Sequence, residues 1–196
     1  IHKFANLLQC EDCTGDNLRN CRNVRDSFNI YEGENIRYSI RNAESRDSYD
    51  NFGIGPQSER MYENVTGSLG SKDCQFCLFL NNTQFAHYSQ YLQSCQHCFG
   101  CIGLSNEQYV ILNKRYEKEE YKKMIKRIRS HMNDEVYVDR TGKTYPFGEF
   151  FPFSLSPFGF NETLAHELRP HTVDQVQALG GRWVEKRESS QQPTLQ

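Results

Sequence analysis

Every sixth residue from Cys74 to Val110 is small or apolar: Cys74, Leu80, Ala86, Leu92, Cys98, Leu104 and Val110. A second row, Cys77, Thr83, Ser89, Cys95 and Cys101, runs three residues out of step with it. No other feature constrains the fold as much. Rows of fixed short period suit a β-solenoid, in which each short strand buries one inward side chain and stacks on the same face of the coil before it. The expected fold is therefore mainly β, a single-stranded β-solenoid with six-residue rungs. Three rungs to the coil, about 18 residues, would stack Cys77 on Cys95 and Cys74 on Leu92 at about 4.8 Å.

The same beat runs from Cys10 to about Ala43, where Asn17-Leu18, Asn23-Val24, Asn29-Ile30 and Asn35-Ile36 repeat an Asn before an aliphatic residue. Asn tolerates left-handed backbone, so it suits the corner of a coil, and the aliphatic residue suits the inside of the next strand. An amphipathic helix would place apolar residues at spacings of three and four instead. The two stretches are out of register by two residues, which predicts one irregular turn between Ser45 and Ser71, where Gly53, Gly55, Pro56, Gly67 and Gly70 mark loops.

Apolar residues make up 37% of the 196-residue chain and charged residues 24%, which fits a thin solenoid with polar turns better than a thick globular core. The formal charge of −2 argues against a general nucleic-acid binder but leaves room for a local basic face. No run of about 18 apolar residues is present, so no membrane span is expected. Eight cysteines with clustered CxxC spacing fit a reducing, cytoplasmic setting better than a disulfide framework. The first residue is Ile1, so a truncated N-terminus is expected.

After Val110 the texture changes, and the expected divisions are a solenoid over 1–112, a capping appendage over 113–186 and a disordered tail over 187–196. Glu117 to Met132 places Tyr121, Met124, Ile125, Ile128 and Met132 on one helical face. Its Lys122, Lys123, Lys126, Arg127 and Arg129 suit a solvated face, with phosphate contact as the sharper reading. Val136 to Tyr145 reads as two short strands around Arg140-Thr141-Gly142-Lys143. The loop that follows is expected to cap the solenoid through Phe147, Phe150, Phe151, Phe153 and Phe158. Asn161 is expected to cap a helix over Glu162 to Leu168. Thr172 with Gln175 forms a capping box for another over Val173 to Leu179.

The segments CQHCFGCIGLSNEQYVILNKRYEKEEY and GEFFPFSLSPFGFNETLAHEL, with the ending ALGGRW, resemble the C-terminal half of an uncharacterised Cys-rich family from uncultivated bacteria, often labelled zinc-ribbon proteins. The resemblance covers most of Cys74 to Trp183. It implies further CxxC pairs N-terminal to this chain and carries no activity. At Leu80, Ala86, Tyr88 and Tyr91 this chain lacks cysteines that family members often place along the repeats.

The strongest chemical signal is Cys74-x2-Cys77-x17-Cys95-x2-Cys98, a spacing that suits a four-thiolate zinc site, with Cys101 as a spare ligand. The competing reading is a ladder of buried thiols, since cysteine behaves as a small hydrophobe. Cys10, Cys13 and Cys21 lack a convincing fourth ligand, with His2 or His97 as the available nitrogens. His166-Glu167-Leu168-Arg169-Pro170-His171 is not a zinc-protease helix, because Pro170 stands where the second His would be required. No catalytic residue is expected. The chain reads as a structural or interaction module for a protein or nucleic acid, with zinc as its cofactor if the thiolates converge. The alternative is a metal- or thiol-dependent enzyme or redox sensor using the same cysteines.

Overall fold

The computed structural model describes residues 5–66 and 69–185. The chain divides into two compact units, Ile1–Ser130 and His131–Gln196. The first is a β-solenoid of about nine turns. One wall is a nine-stranded sheet running from Arg22–Arg25 to Lys114–Arg115, parallel except for its last pair. The opposite wall holds the strands Gly15–Arg19, Ser27–Tyr31, Leu78–Asn81 and Gln90–Gln93. Between them it continues through single parallel bridges at Ile40, Phe52 and Val65.

The coil length corrects the sequence expectation. Ala86 pairs with Cys98 and Cys98 with Val110, so a coil takes 12 residues in two six-residue rungs, not about 18 in three. Cys77 does not stack on Cys95, nor Cys74 on Leu92. Residue 86 follows 74 along the wall, as the pairs Gln84 with Lys72 and His87 with Gln75 require. The register shift is also resolved differently. Two consecutive coils, Ser45 to Ser58 and Glu59 to Lys72, are each 13 residues long, so one extra residue enters twice rather than two entering once.

The short coil follows from backbone geometry. Almost every third residue has a left-handed φ, as at Asn17 (54°), Asn23 (51°), Asn29 (57°), Asn35 (53°), Phe79 (53°), Phe85 (54°) and Tyr91 (54°). A left-handed residue after two extended ones bends the chain, and four such triplets close one coil. The expected Asn corners are thus positions inside the strands, each just before an inward residue. Left-handed backbone costs an L-residue about 1–2 kcal/mol, least for Asn and Asp. Thr66 is the sole β-branched residue at these positions among the described residues. Packing compensates for this cost. Leu18, Val24, Ile30 and Ile36 are all 0–1% exposed in one cluster, and Ile54, Met61, Leu80, Ala86, Leu92 and Val110 are buried in the other.

The outward Asn side chains form a ladder. Asn17 donates to Asn29 (2.6 Å), Asn23 to Asn35 (2.8 Å) and Asn35 to Asp47 (2.7 Å). Inward corner positions hold Ser27, Ser39, Asn51, Asn64, Cys77, Ser89 and Cys101, all buried. Backbone N–H groups at these corners need partners, and the column supplies them. The Ser39 N–H donates to Ser27 Oγ (3.1 Å), that of Asn51 to Ser39 Oγ (3.2 Å), that of Asn64 to Asn51 Oδ1 (2.9 Å) and that of Cys77 to Asn64 Oδ1 (3.0 Å).

Helix α1 spans Lys118–Asp134, close to the expected Glu117–Met132, and buries Tyr121 and Ile125. In the second unit the strands Tyr137–Val138 and Thr144–Tyr145 pair antiparallel, as their sequence suggests. Thr163, not Asn161, precedes α2, Leu164–Leu168, and a 3-10 turn over Phe160–Glu162 takes up the residues before it. Asn161 instead bonds the Val184 backbone at both its amide atoms (2.8 and 3.0 Å). Helix α3, Val173–Ala178, carries the Thr172–Gln175 capping box. Within this unit Phe153 packs on Phe160 at 5.9 Å and Phe150 on Phe151 at 5.2 Å. The expected disordered tail, 187–196, lies outside the described residues.

Candidate functional site: inner thiols and outer aromatic ladders

The solenoid interior contains Cys74, Cys77, Cys95, Cys98 and Cys101, each 0% exposed. With a 12-residue coil, the inward positions of one turn fall at every third residue. Cys74 and Cys77 occupy one turn. Cys95, Cys98 and Cys101 occupy the turn two coils further on, with Ala86 between Cys74 and Cys98 and Ser89 between Cys77 and Cys101. Two coil spacings are about 9.6 Å, whereas the sulfurs of a zinc site stand about 3.5–4 Å apart. In this arrangement the sulfurs of Cys74 and Cys77 do not converge on one point with those of Cys95 and Cys98. No group of three or more His, Cys, Asp or Glu residues among the described residues is placed to hold a metal ion.

The thiols instead bond like hydroxyls. Cys77 donates to the Gln75 carbonyl (3.1 Å), Cys74 to Lys72 (3.2 Å) and Cys95 to Gln93 (3.3 Å), in each case two residues back. Ser27, Ser39, Ser48, Thr83 and Ser89 make the same bond. Burial pushes the Cys74 thiol up to about 12 and that of Cys77 well above the usual range. Cys98 donates to the Gln96 carbonyl (3.7 Å) and Cys101 to that of Phe99 (3.4 Å). Interaction between these two neighbouring thiols, with burial behind it, raises Cys98, and the same interaction lowers Cys101.

The outer faces carry side chains that the sequence reading did not assign to a site. On the sheet wall Phe85, His97 and Tyr109 stack at 4.8 and 4.9 Å, nearly parallel, and α1 lays Tyr121 edge-on against His97 and Tyr109. Beside them His87 Nε2 stands 3.2 Å from an Arg129 nitrogen of α1. Burial, and then the Arg129 charge, drives His87 down to about 4. On the opposite wall Phe79 and Tyr91 stack at 5.0 Å with planes 2° apart. Parallel bridges link Phe28 to Ile40, Ile40 to Phe52, Phe52 to Val65 and Val65 to Leu78, forming a continuous apolar row. Phe28 (47% exposed), Ile40 (39%), Phe79 (44%) and Tyr91 (57%) remain open to solvent. The signal was present in the sequence as spacings of 12 and 13 residues, but the six-residue beat drew attention to inward positions.

In the second unit, a cavity of about 860 Å³ is lined by Tyr137, Arg140, Gln177, Arg182 and Trp183, among others. Its two guanidinium groups hold backbone: Arg140 donates to the carbonyls of Gly180 (2.8 Å) and Gly181 (2.9 Å), and Arg182 to that of Pro157 (2.7 Å). No helix among the described residues is long and apolar enough to cross a membrane.

Comparison with known proteins returned no matching family model, curated protein or solved structure.

Proposed function

We propose that this chain is a non-enzymatic interaction module, a two-sided solenoid that offers one flat wall to a protein partner. The observation that carries this reading is the bridged row Phe28, Ile40, Phe52, Val65 and Leu78, flanked by the Phe79–Tyr91 stack. Several neighbouring exposed apolar side chains on one rigid surface mark interaction sites more often than scattered single ones do. A rigid scaffold also loses little freedom on binding, so more of the buried apolar area appears as affinity. A protein fits this wall better than a nucleic acid, because its row is apolar and the lysines Lys122, Lys123 and Lys126 lie on α1. The alternative, a metal- or thiol-dependent enzyme or redox sensor using Cys74, Cys77, Cys95 and Cys98, is weaker. Those thiols are fully buried and donate to backbone carbonyls.

A photoreactive phenylalanine analogue at position 40 tests the proposal. It should cross-link a protein partner, and adding Phe79→Asp should abolish the adduct while leaving the circular dichroism spectrum unchanged. Adducts that persist in the Phe79→Asp background, or that form only when the analogue is placed at Lys122, would refute it.

A further inference from the structure

Three cysteines stand apart from the inner ladder. Leu7 pairs with Leu18, Leu8 with Arg19, and Glu11 bridges Arg22, so Cys10 lies over Cys21 at the first described turn. Cys13 follows Cys10 by three residues, the interval between neighbouring inward positions of one coil. Its thiol donates to the Cys21 carbonyl at 3.5 Å, and that of Cys10 to the Leu18 carbonyl at 3.4 Å. Cys10 also donates to the Leu8 carbonyl (3.4 Å) and Cys13 to the Glu11 carbonyl (3.2 Å), and both pack against the buried cluster that holds Cys21. Cys10 and Cys13 are both partly exposed, unlike the five thiols from Cys74 to Cys101. A surface cavity of about 510 Å³ opens beside Cys10 and Cys21, bordered by Gln9, Glu11, Asn20 and Arg22.

We propose that Cys10 and Cys13 form a thiol–disulfide exchange site, with small-molecule disulfides as its oxidant. The inference is independent of the outer apolar wall. Reach and spacing distinguish the site: an incoming disulfide has room beside Cys10, and Cys13, also partly exposed, is the next inward position of the same coil. The Cys10 thiolate, having released its proton to solvent, attacks one sulfur of a disulfide such as oxidised glutathione. The disulfide bond breaks, and one glutathione thiolate leaves and takes up a proton. Cys13, as thiolate, then attacks the Cys10 sulfur of the mixed disulfide and expels the second glutathione. Two protein thiols have lost two electrons and two protons, and one glutathione disulfide has become two thiols. Burial raises Cys13 above the ordinary thiol range, so less of it is thiolate at neutral pH and the second, intramolecular step depends on its nearness to Cys10. Cys21 borders the same cavity but is only 3% exposed, so the incoming disulfide meets Cys10 first.

The test incubates the whole folded chain with oxidised glutathione, quenches by alkylation under denaturing conditions and maps each cysteine by mass spectrometry. The expected result is a Cys10–Cys13 bridge, formed on the order of tenfold or more faster than any loss of Cys74, Cys77, Cys95, Cys98 or Cys101, which react only through opening of the coil. Cys13→Ser should trap glutathione on Cys10. The wild-type map does not depend on that variant folding. A stable glutathione adduct on Cys10 of the wild-type chain, a bridge to Cys21 instead of Cys13, or equal rates for all eight thiols would overturn the proposal.

Discussion

Acidification should loosen this protein through one histidine. Arg129 can only donate, so the 3.2 Å contact makes His87 Nε2 the acceptor and requires an unprotonated nitrogen there. A proton on Nε2 would remove the acceptor and place two cations together in a buried setting. Asp73 nearby opposes this effect and His97 adds to it, but burial and Arg129 dominate. The sign follows from linkage. The folded-state value, about 4, lies below the ordinary 6.5, so above pH 6.5 neither state binds the proton and the contribution is constant. Between pH 6.5 and 4 the unfolded chain binds it and the folded chain does not. Stability therefore falls as pH drops through that window, by about 3 kcal/mol in total for this one group. Urea denaturation of the wild type and His87→Gln, followed by circular dichroism at pH 7.5, 6, 5 and 4, isolates this histidine from carboxylates that titrate in both proteins. The wild type should lose about 3 kcal/mol more than the variant across the series. Parallel curves, or an NMR titration of His87 with a midpoint near 6.5, would refute the reasoning.

Two further outcomes test the solenoid itself. Ile36→Ala removes a side chain that is 0% exposed and stacked between Val24 and Ser48, and it should cost about 2–5 kcal/mol in chemical denaturation; a loss below about 1 kcal/mol would mean that the column is not tightly packed. Asn35 combines a φ of 53° with ladder bonds to Asn23 and Asp47, so Asn35→Val should lower stability by about 1–2 kcal/mol more than Asn35→Gly, and equal midpoints for the two variants would contradict the left-handed assignment.

Much of the first unit was legible because burial leaves a strong imprint on a repeating chain. Cys74, Leu80, Ala86, Leu92, Cys98 and Val110 face inward, and so do Leu18, Val24, Ile30 and Ile36, because only small or apolar side chains fit a narrow interior. The helix over Lys118–Asp134 and the Thr172–Gln175 capping box were also legible, since their signals are local. The CxxC spacing also has a second physical reading. Cys, Ser and Thr perform the same task at inward corners, donating to the carbonyl two residues back, so a CxxC there records coil geometry as readily as a ligand set.

What the sequence could not decide is how many six-residue rungs close a coil. Rows at a spacing of six are the same whether two rungs or three make a turn, because the period records which residues face in and not which strands pair. Pairing depends on the angle that the backbone accumulates along the whole rung. That angle is set by left-handed residues such as Phe79, Phe85, Tyr88 and Tyr91, types with no marked preference for the conformation, which they adopt because the stacked coils around them require it. The tertiary structure thereby determines that Phe79 meets Tyr91 and Phe85 meets His97, that Cys74 stands two coils from Cys98, and that an apolar row is assembled on the outer wall.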